Sequence, residues 1–308
     1  MKLNRLLPGV AAASFLFALG APAGAYCLTH TCDPKKGVAA CEYQGNCNVG
    51  GKPLYWASSI VTWDVQKDGS TTSDLSSAQL ADAATKAFGR WQAVDCGGGQ
   101  PPSITLVNKG PIDCAKPEYN KAQPNANVIT FHDSKWPYTN SAIETLALTT
   151  VFFNPDTGEI YDANVEVNTD TTTNTSLFRI GPTDYPNVDL NAVLTHELGH
   201  FLGLAHSEDP TATMYSSYEP GMDTLESDDI QGICASLPPG RMTTDTTEPR
   251  HGFSSECAQP EGCCASAIGG KAPPSKSLGL WAFGLGLCAL LGRTRLRRAV
   301  RSAPALPR

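Results

Sequence analysis

The chain has 308 residues, room for one substantial domain with appendages, and its wealth of glycine, proline and small polar residues suits a loop-rich globular protein rather than a coiled coil. Its formal charge is -7, but Lys2 and Arg5 stand in the first 25 residues and six arginines in residues 293–308, so residues 26–292 carry 15 basic against 30 acidic side chains. So acidic a surface repels phosphate backbones and excludes nucleic acid as a partner.

Residues 1–25 read as a secretory signal, with Lys2 and Arg5 before an apolar core at 10–19 and Ala23-Gly24-Ala25 at the cleavage position. An uncleaved anchor is the competing reading, though the apolar run is short for spanning. Export explains the eleven cysteines, which mostly pair in an oxidising compartment. Cys27, Cys32, Cys41 and Cys47 crowd into a Cys-rich extension, residues 26–52. Their spacing is not that of paired C-x-x-C metal knuckles, so two disulfides are expected, in any of three pairings. Cys96 and Cys114 flank a Gly/Pro-rich stretch and are expected to close a loop between them.

Residues 59–65 alternate apolar and polar, as a half-buried strand does. Ser76 precedes an alanine-rich helical run, 79–94, with Leu80, Ala83, Ala84, Ala87, Phe88 and Trp91 on one face. Short strands are expected at 104–107 and 128–131. Two β-rich runs, 146–153 and 160–167, are joined by a turn-rich hairpin connection. After a threonine-rich loop comes a helix capped by Asp189 and running through Leu202 to Gly203, and a last helix is expected over 225–237.

Residues 239–276 are rich in Pro, Thr, Ser and Gly and read as a flexible linker. The tail, 277–308, holds an apolar run at 278–291 followed by arginines, which places that end in the cytoplasm by the positive-inside bias. At ~1.5 Å per residue the run covers about 21 Å, short of the ~30 Å hydrocarbon core.

The residues with the sharpest chemistry are His196-Glu197-Leu198-Gly199-His200-Phe201-Leu202-Gly203-Leu204-Ala205-His206-Ser207. His196 and His200 are four apart on the expected helix, hence on one face, where two imidazoles can bind one tetrahedral zinc ion. Glu197 can act on a water at the metal without ligating it. Gly203 can take the positive φ that ends the helix and turns the chain back, so that His206 returns as third ligand with the fourth position open. A non-catalytic surface binding module holding structural zinc is the competing reading. Glu197 speaks against it, since a structural zinc needs no base and usually has a closed fourth position. Hydrolysis of a non-peptide amide is a second alternative.

This pattern, HExxHxxGxxH, resembles the metzincin metalloproteases. Ser207 after the third histidine and the run Thr213-Met214-Tyr215-Ser216-Ser217-Tyr218 resemble the matrixin branch over roughly residues 53–238. The resemblance implies a zinc-dependent endopeptidase acting on protein or peptide substrates, with Glu197 as base and His196, His200 and His206 on the metal. It also implies Met214 beneath the site in a Met-turn and Tyr218 in the substrate pocket wall. The implied fold is α+β: a twisted, mostly parallel five-stranded sheet with an antiparallel edge strand and three helices. The edge strand, at about 145–153, would bind extended substrate by strand addition. There are departures. The branch's cysteine-switch propeptide and structural-zinc histidines are missing, His132 stands alone, and Ser216 replaces a proline of the pocket wall. Asp156, Glu159 and Asp162 lie where related proteins can bind calcium (Ca2+), and read first as solvated turn acids. The tail, with Cys263-Cys264 before its apolar run, resembles C-terminal sorting tails of myxobacterial surface proteins; a short membrane anchor is the alternative. Either way the protein would be exported and held at the membrane or cell envelope, its domain facing outward.

Overall fold

Alternating apolar runs become strands only where a partner lies beside them, and six do so in one sheet. In the computed structural model, which describes residues 25–32, 41–138, 145–184, 186–244 and 249–257, these are β1 (Tyr55–Trp56), β2 (Ile60–Gln66), β3 (Thr105–Ile112), β4 (Val128–Phe131), β5 (Ala147–Phe153) and β6 (Glu159–Val167). They lie in the order β1-β6-β4-β2-β3, and β5 takes the other edge of β6. Every pair is parallel except β5 with β6, joined antiparallel by the hairpin read from the sequence. The fold is thus the α+β, metzincin-like one, with two-residue β1 added to the five longer strands.

Helix α1 (Ser77–Gln92) opens on a capping box between Ser76 and Gln79 and buries the six residues of its apolar stripe. Helix α2 (Leu190–Phe201) packs beside it, and Trp63, Phe88, Phe201 and Trp56 form a chain of ring contacts, 5.1–5.3 Å between centroids, from the sheet through both helices. Two buried indoles fix α2 along its axis. Trp91 Nε1 donates to Thr195 O at 2.9 Å and Trp56 Nε1 to Phe201 O at 2.8 Å. Helix α3 (Ser227–Ser236), capped by Glu226, adds Ile233 to the same core.

Strand β2 differs from the half-buried expectation: every residue after Ile60 is buried. Val61, Trp63 and Val65 face the helices, while the opposite face is covered too, with Phe253 and Cys257 packed on Ile112, Cys114 and Val128. Two of the polar residues enclosed there meet backbone groups. Asn127 Nδ2 donates to Thr62 O at 2.8 Å, and Gln66 Oε1 accepts from Phe131 N at 2.8 Å. His132, alone in sequence, lies 2.7 Å from Glu166 Oε1, and that carboxylate also accepts from the Tyr138 hydroxyl.

The cysteines correct one expectation. The extension carries two disulfides, Cys27–Cys47 and Cys32–Cys41. Cys96 and Cys114, however, do not pair with each other: Cys96 joins Cys234 on α3, and Cys114 joins Cys257. Partners 138 and 143 residues away in the chain meet because α3 and the C-terminal stretch are packed on the domain. That stretch has a linker's composition, yet residues 241–244 and 249–257 are docked. The Arg241 guanidinium donates to the carbonyls of Trp56, Ser58 and Ser103, and Arg250 stacks over Tyr161. Of the segments read from the sequence, residues 1–24 of the expected signal at 1–25, residues 245–248 and 258–276 of the expected linker, and the tail at 277–308 lie outside the described residues. Among the described residues no helix is long and apolar enough to cross a membrane.

Candidate metal centre

Helix α2 begins where Asp189 accepts from the backbone N–H of Asn191 at 2.9 Å, one of the orphan donors of its first turn. Two turns on, His196 and His200 project from one face with ring centroids 4.9 Å apart. The helix stops at Leu202, and Gly203 takes φ +96°, a conformation that a side chain would strain. A Cβ there would also meet the Leu54 carbonyl at 2.9 Å.

The next residues are held from outside the helix. Leu204–Ala205 pairs antiparallel with Cys27–Leu28 of the disulfide-stapled extension. Thr29 N donates to Gly203 O at 2.9 Å, and the Thr29 hydroxyl to Leu204 O at 2.8 Å. His206 thereby comes back over α2, its ring 5.2 Å from that of His196 and 4.8 Å from that of His200. One ligand atom from each of the three lies within 4.8 Å of the other two, and among the described residues no fourth histidine, cysteine or carboxylate joins them.

The donor set fits a zinc ion. His196 Nδ1 meets Thr213 O at 2.7 Å and His200 Nδ1 meets Leu204 O at 2.9 Å. A carbonyl accepts only, so both Nδ1 atoms carry hydrogen and both Nε2 lone pairs are left for a metal. Burial pushes His196 down to about 4, and it lowers His200 and His206 as well, with a neighbouring histidine acting in the same direction on each. At neutral pH the imidazoles are therefore uncharged, the form that ligates.

Glu197 is buried beside them. Burial raises its carboxyl, against the opposing pull of His200 and of a hydrogen bond from Thr149 Oγ1, 2.6 Å from Oε2. Met214 lies buried under the cluster, so close that a Cβ on Gly199 would stand 2.2 Å from its sulfur. The Met-turn hangs on Asp229, whose carboxylate accepts from Thr213 N, Met214 N and Glu226 N at 2.8–2.9 Å. Ser207 closes the turn through Met214 O and through Asp228, which accepts from its hydroxyl. Tyr218 lines the cleft and its hydroxyl accepts from Asp189 N at 3.1 Å.

A cleft of about 1050 Å³ runs past the histidines, with β5 along one wall and Val188, Val193 and residues 215–220 along the other. Among the described residues, no strand pairs with the edge of β5 away from β6. The three candidate calcium ligands do not converge. Asp156 sits exposed in the hairpin turn, Glu159 pairs with Arg250, and Asp162 is buried beside Asn164. Thr149, Thr29 and Asp229 were not singled out for the site from sequence. A threonine in a strand and an acid at a helix start carry no local mark of what they reach across the fold.

The family model described as matrixin matches residues 116–236. Interstitial collagenase of Bos taurus is 30% identical over 200 residues, 63% of this chain and 35% of the relative. Neutrophil collagenase of Homo sapiens is 30% identical over 183 residues, 58% of this chain and 32% of the relative. Matrilysin of Homo sapiens is 55% identical over 42 residues, 13% of this chain and 16% of that protein. The chain thus spans about a third of the length of the two collagenases. Over residues 116–236, which carry the histidine cluster and Glu197 on the α+β fold, the chain is similar to the matrixin family.

Proposed function

We propose that the chain is an exported endopeptidase that hydrolyses peptide bonds of extended protein or peptide substrates lying along β5. The observation that carries this reading is a set of three imidazoles joined by no fourth protein donor among the described residues, beside a buried carboxylate, on the floor of an open cleft. His196, His200 and His206 would hold zinc, which when bound supplies Lewis acidity to the attacking water and the scissile carbonyl. Glu197 takes a proton from the attacking water and hands it to the leaving amine, a task suited to a carboxyl raised by burial. The edge of β5 that pairs with no described strand offers main-chain donors and acceptors to an extended peptide, and Tyr218 forms part of the opposite wall. Four disulfides among the described cysteines favour an oxidising compartment, in line with the signal read at 1–25. We further infer retention at the cell envelope through the tail at 277–308.

The test is digestion of casein and of a peptide library by the secreted chain, with and without chelator, beside Glu197→Ala. The variant should lose about 10²–10⁴-fold in rate while its zinc content stays at the wild-type level. Undiminished cleavage would remove Glu197 from the mechanism. A wild type that binds zinc and cleaves nothing would favour the non-catalytic surface module.

A further inference from the structure

Thr149 stands on β5, the strand that walls the cleft, and its side chain reaches across to α2. Its Oγ1 lies 2.6 Å from Glu197 Oε2 and 3.0 Å from the Glu197 backbone carbonyl. A hydroxyl has one hydrogen to give. The carboxylate is both closer and charged, and 2.6 Å is the length expected of a charge-assisted O–H···O⁻ bond. The torsion that swings a glutamate carboxylate is broad and nearly two-fold, so without such a partner its two oxygens exchange places freely. A donor locked onto one oxygen removes that freedom. The backbone of Thr149 is itself locked, paired with Val165 in the interior of the β5–β6 ladder.

Resting on the reading of Glu197 as the base, we propose that Thr149 is a positioning residue for hydrolysis: its hydroxyl holds Glu197 Oε2, so that Oε1 does the proton transfer. The proton leaving the water goes to Oε1 as the water oxygen bonds to the scissile carbon. It then passes from Oε1 to the amide nitrogen as the carbon–nitrogen bond breaks. Thr149 keeps its own hydrogen throughout. Because Thr149 belongs to the strand that also borders the substrate's path, the base and that strand are held in one register.

The bland reading is a strand-to-helix stitch through the Glu197 carbonyl, which would serve stability alone. The two part in kinetics. Thr149→Val is nearly isosteric and suits a strand, and Thr149→Ser restores the hydroxyl. In the full zinc-loaded chain, Thr149→Val should lower kcat about tenfold with KM within about twofold, zinc content unchanged and the melting temperature of the chelator-treated protein nearly so. Thr149→Ser should recover most of kcat. A Thr149→Val enzyme with wild-type kcat, while Glu197→Ala is inactive, overturns the positioning role and leaves the proposed function standing. Thr149→Val and Thr149→Ser equally impaired would overturn it also, since the hydroxyl would then be immaterial. Equal activity of Glu197→Ala and wild type would defeat both readings together.

Discussion

His196 and His200 sit on a helix whose cap, apolar face and length are all written within a dozen neighbouring residues. His206, five residues past the end of that helix, has no such local support. It is brought back by Gly203, by a strand pairing with Cys27–Leu28 and by a Met-turn suspended from Asp229. The hydroxyl of Thr29 bonds a carbonyl 175 residues away in the chain, and that same carbonyl orients His200. Two ligands thus come from short-range order and the third from contacts that exist only in the finished fold. Damage to the returning segment should therefore cost metal affinity while leaving α2 in place, and damage to α2 should cost both.

The strongest way to break the comparison is Asp229→Ala, which strands three backbone N–H groups around the Met-turn. A loss of about 3–4 kcal/mol in unfolding free energy is expected from urea denaturation, with weakened zinc binding. Stability unchanged by this substitution would mean that the turn stands without it.

Acid titration sharpens the contrast on the other side. Burial holds the folded His196 down at about 4 against an unfolded value near ~6.5, so below the latter the unfolded chain takes up a proton that the folded one refuses. Chelator-treated protein should have full stability above about pH 6.5 and lose it as the pH falls towards about 4. His196 accounts for about 2 kcal/mol of loss between pH 7 and pH 5. His200 shifts the same way, and His206 is the exposed member of the three, so it contributes less. His196→Gln should accordingly flatten the pH dependence more than His206→Gln; the reverse order would contradict the burial pattern. The smallest effect is expected from Thr29→Val, which removes one hydrogen bond to Leu204 O and should cost about 1 kcal/mol by the same denaturation assay.

Much was legible from order along the chain, because caps, amphipathic stripes and an i, i+4 histidine pair involve residues that are neighbours. Asp189 caps α2 as read, Ser76 caps the helical run it was seen to precede, the six buried positions of α1 are those of the apolar stripe, and Gly203 takes the positive φ its place demanded. The antiparallel hairpin of β5 and β6 was equally visible from its turn residues. The misreadings share one cause. Cys96 and Cys114 flank a loop, yet their partners are decided by where α3 and residues 249–257 pack. Alternation in β2 announced one wet face, but in the fold every residue of the strand after Ile60 is buried.

Helix, hairpin and metal motif follow from residues within a few positions of one another, where backbone geometry and side-chain spacing leave little choice. Tertiary packing alone settled which cysteines meet, what shields the second face of the sheet, and which hydroxyl reaches Glu197. Each of those depends on a distance in space between residues tens to hundreds of positions apart, and no local pattern encodes such a distance.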